Sequence, residues 1–189
     1  MDARKITADQ VKAIAAKYGV EYASVMAIVD VESSGCGFNP PTGKIIIRFE
    51  ASWFMRLSKL AAAHLAQPWH TVPNGPQVNE WQKFDSAFAI DPNAAMESTS
   101  VGMMQVMGFH YADHGFGFAS AGAMWDYAKV NEENQVDLGM RFIASEPALL
   151  RALRAKDWPM VAYYYNGQDY RENNYDVHLQ NAYNKYKSL

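Results

Sequence analysis

The chain has 189 residues, and its 17 basic and 20 acidic side chains leave a net charge of -3. With 49% hydrophobic and 20% charged residues, it is not collagen-like, low-complexity or disordered, and one domain can bury a core without disulfides or a structural metal. An acidic balance with no run of Lys and Arg lacks the electrostatic footprint of a nucleic-acid binder.

Asp2, Arg4 and Lys5 occupy the stretch where a secretory signal needs an apolar core, so no signal peptide is expected. No apolar run approaches the ~20 residues needed to cross a bilayer, so no stable membrane association is expected either. Cys36 is the single cysteine and can close no intramolecular bridge, so the fold should not depend on an oxidising compartment.

Thr7 and Gln10 form a capping box that starts a first helix, which Gly19 ends. Tyr22, Val25, Met26 and Val29 recur at helical spacing and predict a second helix from about 21 to 33, stopped by Gly35 and Gly37. Asn39 to Gly43 is turn chemistry, and Lys44 to Glu50, with three consecutive isoleucines, is the one convincing strand. A third helix is predicted over 53–65, and the Thr71 to Pro76 segment reads as a surface loop. Further helices are expected at about 78–90, 100–107, 120–128, 132–145, 147–155, 158–165 and 173–187. The sum is a mostly α (α+β) single domain spanning 1–189, with one small β-hairpin between the second and third helices and no separate second module.

Glu32 follows Val25, Ile28 and Val29 at seven, four and three positions, so it borders the apolar stripe of its helix. Partial desolvation and the negative end of the helix dipole both disfavour its ionised form and raise its pKa, as a general acid near neutral pH requires. The plain alternative is a glutamate on the rim of a helix end, and Asp30, with Met26 and Ala27 behind it, competes on pattern alone.

Three segments supply context. Val31-Glu32-Ser33-Ser34-Gly35 is followed by Ser98-Thr99-Ser100-Val101-Gly102-Met103-Met104-Gln105-Val106-Met107-Gly108, and then by Ala162-Tyr163-Tyr164-Tyr165-Asn166-Gly167. Their order resembles the Glu-Ser, Ser-x-x-Gly-Leu-Met-Gln and Ala-Tyr-Asn motifs of the goose-type lysozyme and soluble lytic transglycosylase superfamily. Phe49-Glu50-Ala51-x-Trp53-Phe54 and Gly102-x-x-Gln105-Val106-Met107-Gly108-Phe109 more closely resemble the N-acetylmuramidase domain of bacteriophage endolysins. The chain departs from the superfamily pattern at Met103, where Leu is usual, and in Gln168-Asp169-Tyr170 after the last motif.

The resemblance implies a lysozyme-like fold of about eight or nine helices. It also implies a monomeric peptidoglycan hydrolase, acting on the β-1,4 bond between N-acetylmuramic acid and N-acetylglucosamine, with Glu32 as proton donor and no cofactor. Ser33, Ser100, Gly102, Met104, Gln105, Tyr165 and Asn166 would line the substrate cleft; for Met103, Met104, Val106 and Met107 the alternative is core packing. Such a lysin would accumulate in the host cytoplasm and act on periplasmic glycan strands after the inner membrane is breached.

A second carboxylate separates a hydrolase from a lytic transglycosylase, which uses the sugar's own hydroxyl and yields 1,6-anhydro ends. Glu50, at the end of the strand, and Glu97, before the second motif, are the candidates, with Glu50 favoured. A buried Glu50 paired with Arg48 or Arg56 would instead be structural. A non-catalytic wall-binding or virion structural domain is the reading from a different class. His110 and His114 have the spacing of a metal pair without a third ligand, so no metal is expected, and nothing around Cys36 marks a nucleophile.

Overall fold

The computed structural model describes residues 2–33, 35–60 and 67–188. The chain runs α1 (Ala8–Lys17), α2 (Tyr22–Ser33), β1 (Ile47–Phe49), α3 (Ala51–Leu57), α4 (Pro68–Thr71), α5 (Gln77–Phe88), α6 (Pro92–Glu97), β2 (Thr99–Val101), β3 (Val106–Met107), α7 (Ala121–Val130), α8 (Glu132–Ser145), α9 (Pro147–Ala155), α10 (Trp158–Asn166) and α11 (Tyr175–Lys187). Two 3-10 turns, Gly108–Ala112 and Gln168–Asn173, complete it. The architecture is the expected one, mostly helical with one small antiparallel sheet.

Thr7 caps α1 through the predicted box, its hydroxyl accepting from the Gln10 amide while the Gln10 side chain accepts from the Thr7 N–H. Helix α2 carries Ala23, Val25, Ala27, Ile28 and Val29 into the core. Being apolar on most sides, it is the buried axis against which α1 and α11 pack. The later half of the predicted 53–65 helix lies outside the described residues, as does Ser34 of the first motif; α3 itself ends at Leu57.

Two expectations need correction. The segment 100–107 is not a helix: β2 and β3 form a hairpin with Ser100 opposite Met107 and Val101 opposite Val106. Its Met and Gln residues favour helix intrinsically, but tertiary partners override that preference. The Gly102 N–H donates to the Ile46 carbonyl at 2.9 Å, and the Met103 N–H donates to Gln135 Oε1 at 3.0 Å. Gly102 (φ +73°) and Gln105 (φ +47°) then turn the chain through the left-handed region.

Nor is the sheet a hairpin local to α2 and α3. β1 pairs antiparallel with β2, Ile47 facing Val101 and Phe49 facing Thr99, and an isolated bridge between Phe38 and Ile45 joins the neighbouring segments. Strand order is β1-β2-β3.

Three buried polar side chains tie this sheet and the segments beside it to the helices. Glu132 accepts from the Ile6 and Gly37 amides and from Lys5 Nζ. Gln135 donates to the Ala128 carbonyl while accepting from Met103. A Cβ on Gly37 would come within 2.1 Å of Gln135 Oε1, and one on Gly102 within 2.7 Å of Gln135 Cγ, so both glycines exist to let the loops close on α8. Glu80 accepts from the Phe49 amide at 2.9 Å, the Gly75 amide at 3.1 Å and buried Lys83 Nζ at 2.8 Å, clamping α5 to β1 and to the 73–76 loop.

Candidate active site

The strand segment Lys44 to Glu50 alternates strictly. Ile45, Ile47 and Phe49 are buried, whereas Lys44, Ile46, Arg48 and Glu50 look outward on the other face. Ile46, Arg48 and Glu50 of that outward face form one wall of a groove of about 540 Å³, which Lys44 does not reach. Glu32 at the end of α2, Ser100 and Gln105 of the hairpin, and Tyr165 and Asn166 at the end of α10 supply the rest.

The two acids left open by the sequence are separated by their partners. Asp30 bonds Lys185 Nζ at 3.0 Å and the Tyr186 hydroxyl at 3.3 Å, so it fastens α2 to α11. Glu32 has no hydrogen-bond or ion-pair partner among the described residues and sits in the groove. Burial pushes its carboxyl from the usual 4.5 up to about 7, with the Arg48 guanidinium pulling weakly the other way. Tyr165 stands close by: burial, and secondarily the charge of Glu32, push its phenol well above the usual range. Its hydroxyl therefore stays protonated and donates to the Met104 carbonyl at 2.8 Å. A cation at the groove, Arg48, pairs through Nε with Glu50 at 2.9 Å. Glu50 keeps about a third of its side chain in water, so it is not the buried structural ion pair held as the alternative.

The remaining sequence candidates sort by contact. Ser100 and Gln105 meet in the groove, the Ser100 hydroxyl donating to Gln105 Oε1 at 2.9 Å while Gln105 Nε2 donates to the Gly102 carbonyl at 2.7 Å. One amide hydrogen and one lone pair of Gln105 remain for a ligand. Asn166 is exposed at the C-terminus of α10. Met104 is fully buried against Gly139, where a Cβ would meet its sulfur, so it contributes a carbonyl rather than its side chain. Gly102 is a buried turn residue, and the Ser33 hydroxyl donates back to the Val29 carbonyl, so neither lines the groove. Glu97 ends α6 and is not a groove residue either.

Sequence reasoning missed Asn74, Gln77 and Glu80 and gave Arg48 only as a possible ion-pair partner of Glu50; all four are on the groove wall. Arg48 was legible, since the strand's period of two puts it on the same face as Glu50. Gln77 carries no such signal: its side-chain amide accepts from the Ile47 N–H at 3.0 Å and donates to the Ile47 carbonyl at 2.8 Å, completing the edge of β1 as a neighbouring strand would. His110 Nδ1 pairs with Asp113 instead of sharing a metal with His114, and no group of three metal-ligating side chains occurs among the described residues.

Comparison with known proteins is consistent with this geometry. The family pattern described as Muramidase, N-acetylmuramidase, matches residues 21–187. The chain belongs to the N-acetylmuramidase family. Among solved structures, the Burkholderia AP3 phage endolysin matches with a TM-score of 0.83 and 35% identity, over 99% of this chain and 72% of that one. Nothing among curated proteins matches the chain. The muramidase match begins at α2 and ends with α11, so it encloses every groove residue named above.

Proposed function

We propose that this muramidase is a phage endolysin that hydrolyses the β-1,4 bond between N-acetylmuramic acid and N-acetylglucosamine, with Glu32 as general acid. The observation that carries the reading is the state of Glu32. A carboxyl with a pKa of about 7, desolvated in the groove and without a partner among the described residues, is protonated in about half of the molecules at neutral pH and can deliver that proton to a glycosidic oxygen. Its neighbours suit that role. Tyr165 spends its hydrogen on Met104, so its lone pairs remain to accept from the protonated Glu32 or from substrate. Arg48 lies near enough to steady the carboxylate once the proton has left.

Glu50 is the partner this reading favours. It faces water, and its ion pair with Arg48 fixes one of its oxygens while leaving the other free to orient an attacking water. Hydrolysis then follows as proton donation from Glu32, oxocarbenium character at the muramoyl C1, and capture by water. Ser100, Gln105 and Asn166 offer the hydroxyl and amides that acetamido groups bind.

The deciding experiment is mass spectrometry of soluble products from purified sacculi. Reducing N-acetylmuramic acid ends, each one water heavier than the anhydro form, are expected. Anhydro ends would replace hydrolysis by transglycosylation, and N-acetylglucosamine reducing ends would overturn the assigned bond. If wild type bound sacculi but released nothing, the chain would be a wall-binding domain.

A further inference from the structure

The outward row of β1 does not end at the catalytic groove. Lys44 stands two residues before Ile46 on the same face, and it enters a second hollow of about 710 Å³ between the 39–44 turn and α5. That volume is in the range of specific small-ligand sites. Gln77 borders both spaces, so the hollow continues the groove along the strand in the direction away from Glu50.

Its lining differs from that of the groove. Pro76, Val78 and Trp81 make it largely apolar, and Val78 is 71% exposed, an apolar side chain left in water at the first turn of α5. Trp81 is fixed by donation from its Nε1 to the Ile45 carbonyl at 3.2 Å, and Lys44 Nζ lies 4.3 Å from its ring centroid. With an ammonium over that face, the ring does not offer it for stacking against a sugar. Lys44 and Asp85 place one charge of each sign at the hollow.

We propose that this hollow binds the peptide stem carried by the muramoyl residue, an inference that rests on the muramidase reading of the adjoining groove. The stem leaves the 3-position of every second sugar. It presents small methyl groups, free carboxylates and, at a diamino acid, an ammonium. Val78, Pro76 and Trp81 match the methyls, Lys44 matches a carboxylate and Asp85 matches the ammonium. Extended at ~3.3–3.6 Å per residue, three or four stem residues reach ~10–14 Å, about the four-residue span from Arg48 to Lys44 along the strand. A stem projecting over Gln77 from a sugar beside Ile46 therefore reaches the hollow.

The test uses linear glycan strands bearing tetrapeptide stems and the same strands stripped of stems by an amidase. Wild type should show a KM about tenfold lower on stem-bearing strands, the worth of one charge-assisted contact. A Lys44→Glu, Val78→Asp double variant, altered only at exposed positions, should lose that preference and keep its kcat/KM on stripped strands. Equal KM values for wild type on the two strands would overturn the inference. So would a double variant that loses activity equally on both, because the hollow would then hold glycan. Binding of both strands to the Glu32→Gln protein separates this inference from the one beneath it. If wild type cleaved neither strand while stem-bearing strands still bound about tenfold tighter, the hydrolase reading would fall and stem recognition would stand.

Discussion

Replacing Glu32 by Gln should abolish activity and stabilise the protein in a pH-dependent way. The carboxyl ionises near 4.5 in an unfolded chain and at about 7 in the fold. Below pH 4 both states hold the proton, so burial of this group costs nothing through ionisation. As pH rises from 4.5 to 7 the unfolded chain releases its proton while the native state keeps it, and native stability falls. Above pH 7 both are ionised and the deficit has reached its full size, about 3 kcal/mol. An amide of the same shape has no such term. Glu32→Gln should therefore match wild type at pH 4 and exceed it at pH 8 by up to about 3 kcal/mol, or about 6–12 °C in melting temperature for a chain of this size. Denaturant unfolding of the two proteins at pH 4, 6 and 8 measures this directly, and cell-wall turbidity assays on the same preparations should show a loss of about 10²-fold or more. A stability difference that does not change with pH, or a Gln variant less stable at pH 8, would mean that Glu32 is not held protonated by burial. A variant retaining more than about a tenth of the activity would remove it as the acid.

Other variants test the neighbouring groups. The falling limb of the wild-type pH-rate profile should lie near 7, where Glu32 loses its proton; removing the cation in Arg48→Met raises the Glu32 pKa further, so this limb should move to higher pH. Glu50→Gln should lower kcat by about 10²-fold, whereas Glu97→Ala, outside the groove, should retain wild-type rates; the opposite result would exchange the two residues. Glu80→Ala leaves the Lys83 ammonium buried without its carboxylate and should destabilise the fold by about 3–5 kcal/mol by urea unfolding. Gly37→Ala drives a methyl into Gln135 and should lower the melting temperature, and a variant as stable as wild type would show that Gln135 is not locked in place.

What the sequence made legible depended on whether a local pattern carried the information. The capping box of α1, the apolar run of α2 and the boundaries of α8 and α9 follow from spacing and cap residues, and they agree with the structure to within a residue or two. The choice between Asp30 and Glu32 was not local. The two lie two positions apart on α2, and only the docking of α11, which gives Asp30 a lysine and a tyrosine, frees Glu32 to face the groove. The hairpin at Thr99–Met107 was invisible for a related reason. Its Met and Gln residues favour helix intrinsically, and β1 and Gln135, distant in sequence, hold the segment in a hairpin instead. Glu97 competed with Glu50, the favoured candidate, because it precedes a motif; in the structure it ends α6 away from the groove, while Glu50 follows the strand that faces it.

Buried polar groups in this fold fall into two kinds, and the contrast sets Glu32, the proposed acid, apart from the other buried carboxyls. Glu80 and Glu132 are more deeply buried than Glu32, but each is surrounded by donors: two backbone amides and a lysine in both cases. With three donors a buried carboxyl has its hydrogen-bonding capacity met and holds loops to helices. Burial with none, as at Glu32, favours the neutral acid and leaves its proton available. The same clamps supply the second condition. Glu80 ties α5 and the 73–76 loop to β1, and Gln135 ties the hairpin to α8, so the walls facing Glu32 are fixed by groups that take no part in the chemistry. An acid without a partner among the described residues thus faces a strand that presents Arg48 and Glu50, and in the proposed reaction this is where a glycosidic oxygen would meet it.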